Sequence, residues 1–340
     1  MAAKLSNASC RVRRSIADLV LLCGLVAVTV TCLAAPAPAA EKVLFGMTSR
    51  TGFSAAHYVA EEKKLYAAEN LDVETYAVGS AAGVLQQVAA GSLNIAQAAT
   101  DQILRALLQG VPLRIVGGAV AMPPFRMVAA KGVKSWSELK GKTITVGGKS
   151  DVTLYFLRVM ARKNGLADGD YDLIYGGGTP NRFAQLASGA VAAAILTNPQ
   201  DFIALEQGYA DLGSVSQYVP AWAQNNLIVD VRWSAKNAGI VTAFLKAWVQ
   251  ATRYYYDPNN RAEVIQILAK HTKVSPEAAT STYDLFIKES VISPDAELHL
   301  KGLAANLDAL LTMGEIATIP NIDGYIDLSF LNAAVSSLKK

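Results

Sequence analysis

The chain has 340 residues, with 31 lysines and arginines against 28 aspartates and glutamates, three histidines and three cysteines. With 52% hydrophobic and 17% charged residues it has a globular composition, which excludes a disordered chain. Its excess of base is confined to the first 39 residues, where Lys4, Arg11, Arg13 and Arg14 face Asp18 alone; the remainder carries 27 charges of each sign, a net of zero, and gives no support for nucleic-acid or membrane-surface binding.

In chain order, the four basic residues come first. An apolar stretch from Ile16 to Leu33 follows, with Asp18 its only charge, and then small residues and prolines from Ala34 to Ala40. That order is a secretory signal, with cleavage expected after Ala39 because Ala37 and Ala39 then occupy the two small-residue positions. The protein is thus expected to be exported to the periplasm. An uncleaved anchor is the alternative, since about 18 apolar residues are long enough to span a bilayer. Cys10, Cys23 and Cys32 all lie in this segment. The residues before Cys23 and Cys32 make poor lipidation sites. Beyond residue 39 there is no cysteine for a disulfide, a thiolate metal site or a nucleophile.

From residue 43 short β-type runs alternate with helical patterns. Strands are expected at 43–47, 71–78, 93–98 and 113–120, with helices at 53–66, 81–90 and 101–108 between them. After Pro123 and Pro124 the pattern restarts. Strands are expected at 125–130, 143–146, 171–175 and 192–196, and helices at 152–164 and 182–187. Strands alternating with helices imply βαβ units and a parallel sheet. From Ser234, read as an N-cap, the chain is mainly helical. Val241, Phe244, Leu245, Trp248 and Thr252 follow helical spacing, Asp257-Pro258 ends that helix, and three more follow near 264–268, 278–287 and 303–313.

One internal similarity organises the chain. Tyr76-Ala-Val-Gly79-Ser80 is followed by Leu85-Gln-Gln-Val-Ala-Ala-Gly91-Ser-Leu-Asn-Ile-Ala96 and a polar stop at Thr100-Asp101. Tyr175-Gly-Gly-Gly-Thr179 is followed by Phe183-Ala-Gln-Leu-Ala-Ser-Gly189-Ala-Val-Ala-Ala-Ala194 and Thr197-Asn198. Gly91 and Gly189 are 98 positions apart, and both runs read strand, glycine turn, helix, glycine, strand. Chance resemblance between βαβ units is one reading; two similar α/β lobes is the other. Residues 40–122 and 232–340 then form the first lobe and residues 123–231 the second. The crossovers are Pro123-Pro124 and a return through residues 224–233, whose 227–231 core reads as a strand.

In open α/β sheets ligands bind beyond the carboxyl ends of the strands, where helix N-termini offer unpaired N–H groups. Those ends carry Thr48, Ser49 and Arg50, then Gly79 and Ser80, Thr100 and Asp101, Gly148, Ser150 and Asp151, and Thr197 and Asn198. Each singly is also a plain cap or chain reversal. Arg50 is a candidate fork-shaped donor for an anion, or a solvated arginine. Phe53, Tyr175 and Trp222 are candidate apolar walls. Gly147-Gly148-Lys149-Ser150 resembles the end of a P-loop, but Thr143 stands where the motif needs glycine. His57, His271 and His299 show no metal spacing, so neither a metal nor a cofactor is expected.

Four stretches carry a family resemblance: Gly52-Phe-Ser-Ala-Ala-His-Tyr-Val-Ala-Glu-Glu-Lys-Lys-Leu-Tyr-Ala-Ala-Glu-Asn-Leu-Asp-Val-Glu74, Ala89-Ala-Gly-Ser-Leu-Asn-Ile-Ala96, Ser135-Trp-Ser-Glu-Leu-Lys-Gly-Lys-Thr-Ile-Thr-Val-Gly147 and Tyr256-Asp-Pro258. Across about residues 42–270 the chain resembles the sulfonate-, nitrate-, taurine- and thiamine-precursor-type substrate-binding proteins of ABC transporters. The resemblance implies a two-lobed type II periplasmic binding fold, each lobe a mixed, mostly parallel sheet flanked by helices, closing about two crossovers. It implies a small-molecule ligand, an inner-membrane permease with its ATPase as partner, and a monomer. It places ligand contacts at Thr48–Arg50, Gly79–Ser80, Thr100–Asp101 and Gly148–Thr153. Ser49, Ser80, Thr100 and Ser150 would be donors to an anion, while Asp101 and Asp151 argue against a strongly anionic ligand. A binder of a pyrimidine or thiamine precursor, or a periplasmic sensor subunit, is the second reading. Enzymes of this fold use cysteines the exported chain lacks, or, in menaquinone-pathway relatives, lack a signal, so an enzyme is the least favoured reading.

Overall fold

The computed structural model describes residues 39–339. The segment read as an export signal therefore lies outside the described residues. In chain order the structure runs β1 (Glu41–Met47), α1 (Ala55–Glu62), α2 (Leu65–Ala68), β2 (Leu71–Ala77), α3 (Ala81–Ala89), β3 (Ile95–Ala99), α4 (Thr100–Leu108) and β4 (Leu113–Val120). It continues with β5 (Phe125–Ala129), β6 (Thr143–Val146), α5 (Val152–Lys163), β7 (Asp172–Tyr175), α6 (Thr179–Ala187), β8 (Ala193–Thr197), α7 (Gln200–Glu206) and β9 (Ala210–Ser214). The last part holds β10 (Asn225–Asp230), α8 (Val231–Lys236), α9 (Ala238–Tyr256), α10 (Arg261–Thr272), α11 (Pro276–Lys288), α12 (Leu300–Thr312) and α13 (Ser329–Ser337).

The strands form two five-stranded sheets, ordered β2-β1-β3-β10-β4 and β7-β6-β8-β5-β9. β1 is parallel to β2 and β3, and β10 is antiparallel to β3 and β4. β6 is parallel to β7 and β8, and β5 is antiparallel to β8 and β9. Each sheet thus has four strands running one way and a reversed strand in fourth place. That reversed strand is the one on which the chain enters from the other sheet. The two lobes share one topology, as the internal similarity implied: Gly91 and Gly189, both at φ +76°, close the matching helices α3, between β2 and β3, and α6, between β7 and β8.

Burial explains the patterns. On β1, Val43, Phe45 and Met47 face one side and are buried against Tyr58 and Val59 of α1 and Phe244 and Trp248 of α9. Phe45 lies 5.5 Å from Phe244 and 6.0 Å from Trp248, ring centre to ring centre. Central β10 is buried at every position, because helices cover both faces of its sheet.

Three sequence expectations change, and three elements are added. The helix expected at 53–66 is broken, because Lys64 takes a left-handed backbone (φ 54°) and separates α1 from α2. Ser234 is not an N-cap. Asp230 accepts from the N–H groups of Arg232 (2.8 Å) and Trp233 (3.0 Å) and starts α8, and α9 begins only after Asn237. The returning strand already pairs in the first sheet from Asn225, so the crossover precedes it rather than extending to 231. Three elements went unread: β9, whose Ala-Asp-Leu-Gly-Ser sequence has no β-type run, the short α7, and α13.

Helix α12 touches both lobes. Leu303, Leu307 and Leu310 pack on Leu104 of α4, while Ala305 and Ala309 pack with the core of the second lobe. It also holds the return crossover: His299 Nδ1 lies 2.9 Å from the Trp222 carbonyl oxygen, and Asn306 Oδ1 accepts from the Ala223 N–H at 3.3 Å.

Candidate functional site

The carboxyl ends of the strands of both sheets face one cavity of about 380 Å³, within the range of about 300–1,000 Å³ usual for small-molecule sites. Thr48, Ser49, Phe53, Gly79, Ser80, Gly148, Ser150, Asp151, Thr153 and Thr197, all expected from the sequence, line it.

Local chain geometry holds these groups. Gly79 sits at φ +91°, where a side chain would strain the backbone, and turns the chain into α3. Ser80 then caps that helix, its hydroxyl accepting from the Gly83 N–H at 3.1 Å. Asp151 caps α5 in the same way, its Oδ1 accepting from the Thr153 N–H at 2.9 Å and the Thr153 hydroxyl at 2.5 Å. Thr153 Oγ1 in turn accepts from the Gly147 N–H at 2.7 Å. A Cβ at 147 would lie 2.4 Å from Asp151 Cγ, so any larger residue there would displace the capping carboxylate. The Phe53 backbone is fixed by Gln97, whose Nε2 donates to the Phe53 carbonyl at 2.8 Å.

Four expected residues do not line the cavity. Arg50 is exposed and lies 3.5 Å from His271 Nδ1. Thr100 is fully buried and its hydroxyl accepts from Asn226 Nδ2 at 2.9 Å. Asn198 is fully buried and donates to both carboxylate oxygens of Asp201 at 2.9 Å. Asp101 is buried in an ion pair with Arg105 at 2.5 Å. Burial pushes the Asp101 carboxyl up, against the pull of Arg105. The negative charge that counted against an anionic ligand at this position is therefore already paired and outside the cavity. Of the proposed apolar walls only Phe53 serves; Trp222 is buried on Tyr155 and Phe156, and Tyr175 is exposed. His57 is buried in the first lobe, with Nδ1 3.0 Å from the Tyr66 hydroxyl and Nε2 2.9 Å from the Thr75 hydroxyl.

Several lining residues were missed. Phe125 meets Phe53 edge to face across the two lobes, ring centres 5.8 Å apart. Gln102 of α4 reaches over the cleft, its Nε2 donating to the Ser150 carbonyl at 2.7 Å. Gln224, at the end of the return crossover, and Asn225, the first residue of β10, are buried beside the cavity with side-chain oxygens that no protein group among the described residues satisfies. Arg182 is only 3% exposed yet lines the cavity. Its Nε donates to the Ile195 carbonyl at 2.7 Å and one terminal nitrogen to Thr179 Oγ1 at 2.8 Å; the other donates to the Gly177 carbonyl. Burial pushes this guanidinium down to about 10, with Asp151 pulling the other way, so it stays cationic at neutral pH. Among the described residues no group of three or more His, Cys, Asp or Glu side chains is placed to hold a metal ion, and no helix is long and apolar enough to cross a membrane.

Comparison with known proteins gives the same architecture. A family model described as NMT1/THI5 like matches residues 53–262. The periplasmic aliphatic sulphonate binding protein SsuA of Escherichia coli superposes with a TM-score of 0.66 at 18% identity, over 86% of this chain and 92% of that one. The periplasmic nitrate-binding protein NrtA of Synechocystis PCC 6803 gives 0.72 at 16% identity, over 89% and 90%. The ligand binding component of an ABC-type import system from Staphylococcus aureus, solved with zinc bound, gives 0.72 at 14% identity, over 86% and 99%. At such identities the likeness is one of fold. A comparison with curated protein sequences finds no match.

Proposed function

The chain belongs to the NMT1/THI5-like family, and from that premise we propose that it is the exported solute receptor of an ABC-type uptake system. It captures one small polar or anionic organic molecule between its lobes and hands it to a membrane permease with its ATPase. The observation that carries this reading is the cavity itself. It lies between the strand ends of two sheets of the same topology, and it is bordered by buried polar groups of Gln224 and Asn225 that lack a protein partner. Buried polar groups left unpaired are destabilising by about 1–3 kcal/mol each, and a bound polar molecule removes that penalty. The solved structures of like fold are named for sulfonate and nitrate binding and for ABC import, which supports the transport role.

Export rests on the leader: a signal cleaved after Ala39 would release a monomer into the periplasm. The cysteines of the chain all precede that point, so a protein cleaved there would have no thiol nucleophile, which disfavours the cysteine-dependent enzymes of this fold and supports capture over turnover.

Thermal unfolding against a library of sulfonates, carboxylates, nitrate, amines and pyrimidines tests this. A ligand at a hundred times its Kd stabilises the folded state by about 2.7 kcal/mol. At least one class should therefore raise Tm saturably and be recovered unchanged. No shift across the library, or recovery of a converted product, would overturn the reading.

A further inference from the structure

Among the described residues two ionisable side chains line the cavity, Arg182 and Asp151. Their situations differ. Asp151 is committed to α5, holding the Thr153 N–H and hydroxyl, and makes no hydrogen bond to Arg182. Arg182 makes its three bonds to neutral oxygens only, leaving two of five guanidinium N–H groups unclaimed. A cation buried among neutral acceptors lacks the partner that ordinarily offsets its desolvation. It stands in the first turn of α6, whose N-terminal dipole adds positive potential at the same place. Opposite in chemistry are Phe53 and Phe125, one from each lobe, which meet edge to face on the cavity wall; Phe125 is backed by Phe156 at 5.6 Å.

We propose that the captured solute is a monoanionic organic acid whose carboxylate or sulfonate pairs with Arg182 and whose compact apolar or aryl body lies against Phe53 and Phe125. This rests on the cleft-capture reading above and narrows it. One unpaired cation admits one negative charge. A second negative charge meets the Asp151 carboxylate, and a cationic head meets Arg182. A neutral ligand leaves Arg182 buried and unpaired.

Titration calorimetry at pH 7 with benzoate, benzenesulfonate, phthalate, benzamide and benzylamine decides this. The expected order is benzoate or benzenesulfonate tightest, at least about tenfold ahead of benzamide and phthalate, with benzylamine silent. Whichever of the two acids binds more tightly names the head group. R182Q should weaken that acid about a hundredfold. R182K, which keeps the charge and loses the fork, should fall between. D151N keeps a capping side chain, removes the negative charge, and should tighten the monoanion several-fold while bringing phthalate closer to it. D151N does not touch the guanidinium, so this arm stands even if the Arg182 variants fail to fold. Benzamide binding as tightly as benzoate, or D151N leaving the acids unchanged, would overturn the monoanion assignment while leaving capture intact. Silence of all five probes would overturn the aryl-acid class, and the thermal-shift library separately reports whether capture itself fails.

Discussion

Individual buried charges show which groups are free to work. Asp101, Asp151 and Asp201 sit at comparable places after strands, and their neighbours give them different tasks. Asp101 neutralises Arg105, which also holds Glu315. Asp201 is buried 3.5 Å from Arg126, while Arg126 also pairs with Asp211. Burial outweighs Arg126 and pushes the Asp201 carboxyl up to about 7. An unfolded aspartate titrates near 3.9, so between roughly pH 4 and 7 the folded state holds more protons than the unfolded one. The contribution of Asp201 to stability therefore falls as pH rises through that window and is flat above it. Asp201→Asn should flatten this slope in urea unfolding measured from pH 4 to pH 8; an unchanged slope would show that Asp201 does not carry it. The same scale explains why Arg182 was illegible in sequence. In Thr179-Pro-Asn-Arg-Phe-Ala-Gln-Leu it looks like a solvated helical arginine. Its burial follows from the Ile195 carbonyl on β8 and the Gly177 turn, contacts made only once the sheet forms. Ser80, Ser150 and Thr153 were legible because caps and turns leave local signatures.

At the scale of elements, glycines mark where backbone meets backbone. Gly302 of α12 faces the return crossover, and a Cβ there would lie 2.3 Å from the Trp222 carbonyl carbon and 2.4 Å from the Ala223 nitrogen. Backbone cannot swing aside as a flexible side chain can. Gly302→Ala should destabilise the fold by about 1–3 kcal/mol, the usual size of an overpacking effect. It should also weaken ligand binding, because the displaced segment carries Gln224 and Asn225 to the cavity. Gly239, in the first turn of α9 with open space around it, is the control: alanine there should be neutral or stabilising and leave binding unchanged. Equal effects of the two substitutions in paired melting and calorimetric measurements would show that close packing of α12 is not the cause. Long periodic elements such as α9, and the buried strands β3 and β4, were readable from hydrophobic pattern. The edge strand β9 was not, because it is partly exposed and pairs only with β5. The sequence pattern predicts α12 as a helix, but its contact with two lobes is a property of the assembled chain.

For the whole molecule, the duplicated topology converts two weak sites into one. Each lobe presents capped helix N-termini and short polar turns, and neither encloses a ligand alone. The cavity exists where they face each other, with Gln102 to Ser150 and Phe53 to Phe125 joining the lobes across it. The repeat 98 residues apart made two lobes legible in advance. The chemical character of the cleft was not, since Arg182 and Phe125 come from different elements of the second lobe and meet only in the folded chain. Native mass spectrometry of the purified protein after incubation with a mixture of small organic acids, amines and neutral metabolites tests the central claim most directly. The expected result is a one-to-one adduct of a single monoanionic acid, released intact on gentle heating and absent in Arg182→Gln. Bare protein throughout, or an adduct of a neutral or cationic compound retained equally by Arg182→Gln, would contradict it.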